Sequence, residues 1–306
     1  MTGLARGLVR LRRLAPLAVV LALTALVVPP AQVRNAPAAL VKVESAHNVD
    51  ISKNVIWVLL LGSDAREGQS VLRSRADAIQ LVGINTRSGA ATAIGLPRDS
   101  YVNIPGYGRN KINASMVFGG PQLMARSVGD MVGIRPDYVF TTSFWGFSRM
   151  VDRIGGITVN SKYRFYDPLK PGGYRVGRNR LNGIQTLVFS RTRKAFAGGD
   201  FVRSANQQRA LMGILNKVRS NADKPGFIEN GVMAVLNNMD TPNVGPAELY
   251  RLAQAASRVK PHKFRTCVVG GGTGYVGEAS VVFANIGQAR SIANRARNDA
   301  TLEGSC

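Results

Sequence analysis

Short apolar runs, each ended by turn-forming or charged residues, dominate the first third of this chain. Residues 55–61 read VIWVLLL and stop at Gly62, and residues 78–84 and 91–96 form two further runs of the same kind. Their length and their branched or aromatic side chains predict buried β-strands rather than helices. Further short runs predict strands at residues 137–141, 157–159 and 264–269.

Between and after these runs, apolar residues recur every three or four positions, which is typical of amphipathic helices. Pro121 is suited to open one helix, with Leu123, Met124, Val128 and Met131 on a single face. The predicted helices cover residues 121–131, 144–154, 201–218, 246–259 and 285–297.

The helix predicted after Asp200 has two kinds of face. We expect Asp200 to cap its first turn, because a carboxylate accepts from unpaired amide groups there. Arg203 and Gln207 are four residues apart and therefore lie on one side. Apolar residues such as Leu211 and Ile214 are expected to supply the buried side.

Mixed strands and helices predict an α/β (α+β) class: a single domain with a mixed central β-sheet flanked by helices. Residues 161–180 are rich in proline and glycine and predict a loop or short hairpin. Residues 270–274 look like a phosphate-binding loop but lack its Gly-Lys-Ser/Thr ending. Because no repeat or interior linker divides the chain, the domain is expected to span residues 53–306.

The N-terminus predicts export across a membrane. Arg6, Arg10 and Arg12 are among the basic residues that precede an uncharged apolar stretch at residues 14–28. This pattern is typical of an export signal, although the stretch is short for a full span. Both a cleaved signal and an uncleaved single-pass anchor are compatible with residues 1–30, and residues 31–52 are interpreted as a linker. In either case the main domain is extracytoplasmic.

The composition narrows the class of partner. The chain contains 40 Lys+Arg against 18 Asp+Glu, a formal net charge of +22. Nucleic acid, anionic lipid and anionic polymer are all suitable acidic partners, and part of the charge is ordinary solvated surface. Aromatic residues make up only 7% and do not alternate with basic ones as in a base-stacking surface. We therefore expect no nucleic-acid partner.

Two cysteines, Cys267 and Cys306, form an even pair near the C-terminus. In an exported protein such a pair predicts a disulfide. The only histidines are His47 and His262, so no Cys/His cluster has the spacing of a zinc site and no histidine-dependent triad is expected.

Acidic and basic residues stand together where the predicted strands end. Asp64 and Arg66 follow the first strand, Arg75 and Asp77 precede the second, and Arg98 follows the third. In an open α/β sheet, ligands bind in the crevice outside the strand ends. Carboxylates hold divalent metals and guanidinium groups bind phosphate, so these residues indicate a site for a phosphorylated anion and a metal.

These blocks resemble the signature blocks of the LytR-CpsA-Psr family, and their order extends the resemblance over residues 55–218. The blocks read LGSDAR at residues 61–66, RADAI at 75–79, LPRDSYV at 96–102 and KIN at 111–113. A later block places Arg191, Arg193 and Lys194 before Gly199-Asp200 and an Arg/Gln-rich helix. Members of this family move a glycopolymer from a polyprenyl-pyrophosphate carrier to peptidoglycan outside the cytoplasmic membrane.

The resemblance implies a role for each matching residue, together with a Mg²⁺ (or Mn²⁺) cofactor. Asp64 and Asp77 would bind the metal, and Asp64 is also the candidate general base. Arg98 and Arg203 would act at the reacting phosphate. The residues implied to bind the pyrophosphate are Arg66, Arg75, Arg98, Arg191, Arg193, Arg203 and Gln207. The implied partners are a polyprenyl-pyrophosphate-linked glycan, a peptidoglycan acceptor and the cytoplasmic membrane.

Other roles for these residues and for the protein remain open. The family usually has hydroxyl residues where this chain has Ala76 and Ala78, so hydrogen bonds beside the metal position are missing. Asp64 also suits a turn, Asp99 suits the orientation of an arginine, and Lys111 suits loop closure. The alternative functions are a non-catalytic envelope protein that binds acidic polymers or lipid pyrophosphates, and a lipid-carrier pyrophosphatase.

Overall fold

The computed structural model of this chain describes residues 36–44, 54–304 and 306. The described residues from Ala36 to Cys306 form one compact unit. Its strands are β1 (Ala38–Lys42), β2 (Val55–Ser63), β3 (Ala76–Asn85), β4 (Ala91–Gly95), β5 (Tyr101–Ile104), β6 (Gly108–Lys111), β7 (Tyr138–Ser143), β8 (Ile157–Ser161), β9 (Gly177–Leu181), β10 (Phe264–Val268), β11 (Gly271–Val276) and β12 (Ala279–Ala284).

Six of these strands form a central sheet in the order β1-β7-β2-β3-β4-β10. Strand β2 pairs antiparallel with β3 and parallel with β7, while β4 pairs antiparallel with β3 and parallel with β10. The predicted mixed central sheet is therefore confirmed. The prediction of a linker at residues 31–52 is wrong for β1, which pairs antiparallel with β7 at the sheet edge.

Seven α-helices lie in the described part of the chain. They are α1 (Ala114–Val132), α2 (Phe144–Arg153), α3 (Gly183–Arg191), α4 (Gly199–Arg219), α5 (Phe227–Asn238), α6 (Pro246–Ser257) and α7 (Ile286–Ala296). The pattern predicted α1, α2, α4, α6 and α7 but missed α3 and α5. Helix α3 begins with a capping box, in which the Asn182 side chain accepts from the Gln185 amide and the Gln185 side chain accepts from the Asn182 amide.

The sheet is covered on both faces. Along β2, buried and half-buried residues alternate, as the two-residue period of a strand requires. Trp57 and Leu59 belong to the core that contains residues of α1 and α7, whereas Ile56 and Leu60 pack with residues of α4 and α6. Gly83 is needed because a Cβ there would lie 2.7 Å from the Trp57 ring.

Two helix starts differ from the predictions. Helix α1 begins before Pro121, and the proline follows a break at Gly120, whose φ is 65°. Pro121 thus opens the second helical segment, and the predicted face with Leu123 and Met124 is buried. Asp200 does not cap α4: the N-cap is Gly198 without a side-chain bond, and Asp200 lies within the first turn.

Three two-stranded hairpins, β5–β6, β8–β9 and β11–β12, complete the fold. Residues 161–180 contribute the connection and second strand of the β8–β9 hairpin, which confirms the predicted hairpin. Gly271 and the glycines after it form strand β11, so these residues do not form a phosphate-binding loop despite their similarity to one in sequence.

The predicted disulfide is confirmed between Cys267 in β10 and Cys306. It closes a segment that contains the β11–β12 hairpin and α7. The predicted membrane segment at residues 1–30 lies outside the described residues. Within the described residues, no helix is both long and apolar enough to cross a membrane.

Candidate active site

A β-bulge at the end of the central sheet aims Asp77 into a cavity. Strand pairing joins Gly62 to Ala78 and Ser63 to Ala76, so Asp77 is an extra residue between two paired positions. Bulges commonly redirect one side chain beside a functional site. Asp77 and its neighbour Ala78 both line a cavity of about 400 Å³.

Two arginines that are far apart in sequence meet at this cavity. Arg98 follows β4, and Arg203 lies in the second turn of α4. Arg98 is ion-paired with Asp77 through Nη1, and its Nε lies 3.4 Å from Asp99 Oδ2. Arg203 Nη2 lies 2.5 Å from Asp200 Oδ1. Arg98 and Arg203, which the family resemblance implies to act at one phosphate, therefore line the same cavity.

The guanidinium groups of Arg98 and Arg203, the inner pair of arginines at this cavity, keep unused hydrogen-bonding capacity. The Nε atom of Arg203 and the Oγ atom of Ser190 are buried and have no hydrogen-bond partner among the described residues. The buried Nε atom of Arg98 makes no hydrogen bond there either, although it lies within ion-pair distance of Asp99. Buried polar groups are normally satisfied, so several donors without a protein partner around one cavity indicate a ligand-binding site. Because guanidinium donors bind phosphate and carboxylate in a planar fork, that ligand is expected to be an anion.

Arg191 and Arg193 lie at the exposed rim of the same cavity. Arg191 is the last residue of α3, and its guanidinium carbon lies 4.0 Å from the centre of the Phe144 ring. This cation–π contact holds the Arg191 side chain over the entrance. The cavity thus has an inner pair of arginines and an outer pair.

The charges around the cavity shift the pKa values of the inner arginines in opposite directions. Burial lowers the pKa of Arg98, but the carboxylates of Asp77 and Asp99 more than compensate, so its pKa is raised. Burial also lowers the pKa of Arg203; Asp200 compensates only in part, and Arg98 lowers it further. Arginine remains protonated in either case. The cavity wall contains four arginines and one aspartate, and with the paired carboxylates of Asp99 and Asp200 included the arginines still outnumber the aspartates.

Gln207 is held in the cavity by a buried network of amides. Gln80 Nε2 donates to Gln207 Oε1 at 3.0 Å and to Ser204 Oγ at 3.0 Å, and Gln207 Nε2 donates to the Ser190 carbonyl. Gln208 Nε2 donates to Gln80 Oε1 at 3.1 Å. The sequence analysis missed Gln80, although a single amide inside an apolar strand was a usable signal.

The remaining wall of the cavity is apolar. Its large side chains are only half-buried, except for Leu61, because they face the open space of the cavity. They come from β2, β7, α2, α3 and α4, and they are Leu60, Leu61, Phe140, Phe144, Phe147, Met150, Leu187, Leu211 and Ile214. Leu211 and Ile214, which the sequence analysis assigned to the buried side of α4, therefore line the cavity. A cavity with a cationic end and an apolar wall suits an amphiphilic anion.

Three predicted site residues lie outside the wall of this cavity. Asp64, Arg66 and Arg75 are exposed at the same end of the sheet, and the Asp64 amide donates to the Arg75 carbonyl at 3.2 Å. Lys111 does not contact the cavity either, but its Nζ lies 3.3 Å from Asp99 Oδ1. Asp99 therefore lies between two cations, in keeping with a role in orienting Arg98.

The described side chains do not form a metal cage on their own. No group of three or more His, Cys, Asp and Glu residues that could hold a metal occurs among the described residues. Asp77 is nevertheless a carboxylate in the cavity wall, and Asp64 is close in the fold at the same strand ends. Mg²⁺ is commonly bound by one or two carboxylates with phosphate oxygens and water completing its shell, so this donor set fits a metal that arrives with a phosphate ligand.

A model of the LytR_cpsA_psr family matches residues 31–298 of this chain. The polyisoprenyl-teichoic acid–peptidoglycan teichoic acid transferase TagU of Bacillus licheniformis is 36% identical over 180 residues, covering 58% of this chain and 56% of that protein. The probable cell wall biosynthesis protein LcpB of Corynebacterium glutamicum is 33% identical over 214 residues, covering 65% and 50%. The chain thus aligns with a little over half the length of TagU and half of LcpB.

Solved structures share the fold. A structure of TagT bound to LIIa-WTA superposes with a TM-score of 0.64 and 26% identity, covering 81% of this chain and 91% of that chain. The crystal structure of Bacillus subtilis TagT gives the same TM-score with 25% identity, covering 85% and 96%.

Proposed function

This chain belongs to the LytR-CpsA-Psr family, and from that premise we propose that it transfers a glycopolymer from a polyprenyl-pyrophosphate carrier to peptidoglycan. One observation carries the proposal: Arg98 and Arg203 meet, with unsatisfied buried donors, at one end of a cavity whose remaining wall is apolar. The pyrophosphate would occupy the cationic end, and the polyprenyl chain would lie along the apolar wall. Relatives named as teichoic acid transferases support this assignment.

In the proposed reaction, a hydroxyl oxygen of the acceptor attacks the phosphorus that carries the sugar. A phosphodiester to the acceptor forms, the bond to the bridging oxygen breaks, and polyprenyl phosphate leaves. The hydroxyl proton passes to a carboxylate at the strand ends, which is Asp64 in our assignment. Phosphoryl transfer depends mainly on positioning and charge neutralisation, and the arginines supply both.

The inner and outer arginines have different tasks in this proposal. Arg98 and Arg203 would bind the phosphate that leaves and stabilise its growing charge, with Gln207 assisting. Arg191 and Arg193 would guide the anionic headgroup in from the rim. Arg66 and Arg75, which are exposed at the neighbouring strand end, would contact the glycan side of the pyrophosphate.

Asp77 and Asp64 would hold Mg²⁺ (or Mn²⁺) with phosphate oxygens completing the shell. When bound, the ion would neutralise charge on the pyrophosphate. Asp77 is ion-paired with Arg98, so the guanidinium would have to share or release this carboxylate as the metal and phosphate enter.

The proposal places the domain outside the cytoplasmic membrane, tethered by the N-terminal segment. The Cys267–Cys306 disulfide supports this location, because disulfides persist in oxidising compartments.

The experiment is product analysis with the full-length chain in detergent. The protein is incubated with a synthetic polyprenyl-pyrophosphate-linked oligosaccharide, soluble peptidoglycan fragments and Mg²⁺, and the products are identified by mass spectrometry. We expect a phosphodiester-linked conjugate and polyprenyl phosphate. Release of glycan phosphate without conjugate would instead establish a pyrophosphatase, and binding without any product would establish a non-catalytic binding protein.

A further inference from the structure

The β5–β6 hairpin presents a polar and aromatic face beside the candidate active site. Strand pairing sets Tyr101 opposite Lys111 and Asn103 opposite Arg109, so these four side chains project from the same face. Val102, which alternates with them, is buried on the other face. The face therefore carries one phenol, one amide and two cations.

A second hairpin extends this face with an aromatic ring. Phe283 in β12 is 46% exposed, and its ring packs edge-on against Tyr101 with centroids 6.4 Å apart. The Arg109 guanidinium carbon lies 5.0 Å from the centre of the Tyr101 ring. We call the surface of Tyr101, Asn103, Arg109, Lys111 and Phe283 the aromatic face.

Glycine residues in β11 allow the Phe283 ring to lie against the backbone and to remain exposed. A Cβ at Gly274 would lie 2.8 Å from Cε2 of Phe283, so the ring rests against bare backbone. At Gly272, which pairs directly with Phe283, an added Cβ would meet nothing within 4 Å. The ring thus forms part of a shallow, open surface and is not buried in the hydrophobic core.

Asp99 links the aromatic face to the phosphate end of the cavity. Lys111 Nζ lies 3.3 Å from Asp99 Oδ1, and Asp99 lies beside Arg98 in the cavity wall. The Val282 amide donates to the Asp99 carbonyl at 2.9 Å, which fixes strand β12 against the same residue. A ligand on the aromatic face would therefore end next to the arginines.

The chemistry of this face fits a carbohydrate that carries acidic groups. Exposed aromatic rings stack against the C–H faces of sugar rings, and amide and cationic side chains bind hydroxyls and carboxylates. The four hairpin strands contain no acidic residue, although Glu278 lies in the β11–β12 turn and Asp99 pairs with Lys111. Arg109 is therefore the cation of this face that can bind an acidic group of the partner. The aromatic area is small and interrupted by polar groups, unlike a large apolar patch for protein or membrane.

We propose that the aromatic face binds the glycan strand of the peptidoglycan acceptor and presents its hydroxyl to the sugar-linked phosphorus, next to the phosphate bound by Arg98 and Arg203. This assignment of the acceptor subsite rests on the proposed function. The binding itself can be measured without turnover.

The test replaces Phe283 with leucine, which keeps apolar volume but removes the ring. Binding of soluble peptidoglycan glycan strands is measured by calorimetry with the full-length chain, and binding of a polyprenyl pyrophosphate is measured in parallel. We expect Phe283→Leu and Tyr101→Leu each to weaken glycan binding about twofold to tenfold, the range for one aromatic contact. Lipid binding should not change.

Two further variants separate ring stacking from folding. Phe283→Tyr keeps an aromatic ring and should restore glycan binding. Tyr275→Ala removes a ring that is 74% exposed on the other face of the same hairpin, and it should leave binding unchanged. Equal affinity of Phe283→Leu and the unmodified chain for glycan strands would overturn the proposal, as would failure of the unmodified chain to bind them. Neither result would contradict the proposed function itself, because transfer from the lipid carrier is tested separately by product analysis.

Discussion

Replacing Arg203 with lysine tests whether the inner arginines bind phosphate as a fork or merely supply charge. The Arg203 side chain is 8% exposed, pairs with Asp200 through Nη2 and has an unsatisfied Nε. Lysine keeps a cation beside Asp200, so the variant avoids leaving a partly buried carboxylate alone. It removes the planar donor set that can bind Asp200 and a phosphate at the same time.

The size of the effect follows from this geometry. An ammonium group that stays with Asp200 loses at least one charge-assisted hydrogen bond to the phosphate. Such a bond contributes about 1.5–3 kcal/mol, which corresponds to roughly a tenfold to hundredfold weaker affinity. Because Arg203 is buried, salt should screen this loss only weakly.

The assay is binding of a polyprenyl pyrophosphate at low and at high salt. Arg209→Lys is the matched control, because Arg209 lies on the same helix, has a pKa lowered by burial and bonds Asn206 away from the cavity wall. We expect Arg203→Lys to weaken binding at both salt concentrations and Arg209→Lys to bind normally. Near wild-type affinity of Arg203→Lys, or equal losses in both variants that disappear at high salt, would refute the phosphate fork.

Four further predictions concern the metal, the lipid, the disulfide and the ion pair between Glu248 and Lys42. Asp77→Asn should abolish Mg²⁺-dependent transfer while the protein stays folded, because Arg98 keeps Asp99 as an ionic partner; full activity in this variant would remove the metal assignment. Ile214→Phe should narrow the apolar wall and weaken binding of polyprenyl pyrophosphate about tenfold while sparing inorganic pyrophosphate; equal losses for both ligands would mean that the lipid does not follow this wall. Reduction of Cys267–Cys306, which are 39 residues apart, should lower the free energy of unfolding by up to about 4 kcal/mol in denaturant titrations, and an unchanged midpoint would contradict this. Although desolvation raises the pKa of Glu248, hydrogen bonds from Tyr138 and Lys42 outweigh it, so the pKa is lowered. Folding therefore favours the ionised form of Glu248. Its contribution to the free energy of unfolding is present above the unfolded pKa and is lost as pH falls through the lower folded pKa. Glu248→Gln should cost up to about 1 kcal/mol at neutral pH and almost nothing in strong acid, as measured by denaturant unfolding across pH; a cost that does not depend on pH would contradict the ion pair.

Elements with a strong period were predictable from the sequence, whereas elements formed by distant pairing were not. Strand β2 follows from a short apolar run of branched and aromatic residues, and helices α2 and α6 follow from a 3.6-residue repeat. Strand β1 lies in an Ala/Pro/Val-rich segment and exists because it pairs with β7, which lies about 100 residues later in the chain. Helix α3 has no clear apolar face, and only its capping box marked where it begins.

The chemistry of the site was more predictable than its geometry. The sequence identified Arg98, Arg191, Arg193 and Arg203, and the structure brings them to one cavity. Whether Leu211 belonged to a core or to a cavity wall could not be predicted, because both environments require the same apolar side chain. The bulge that turns Asp77 inward depends on the register between two strands, which local sequence does not encode.

The most direct test of the central claim is a crystal structure of the protein bound to a short-chain polyprenyl pyrophosphate. The account predicts phosphate oxygens within hydrogen-bonding distance of the Arg98 and Arg203 guanidinium groups, and the prenyl chain against Leu60, Phe140 and Ile214. A lipid bound elsewhere, or a pyrophosphate that contacts neither inner arginine, would contradict it.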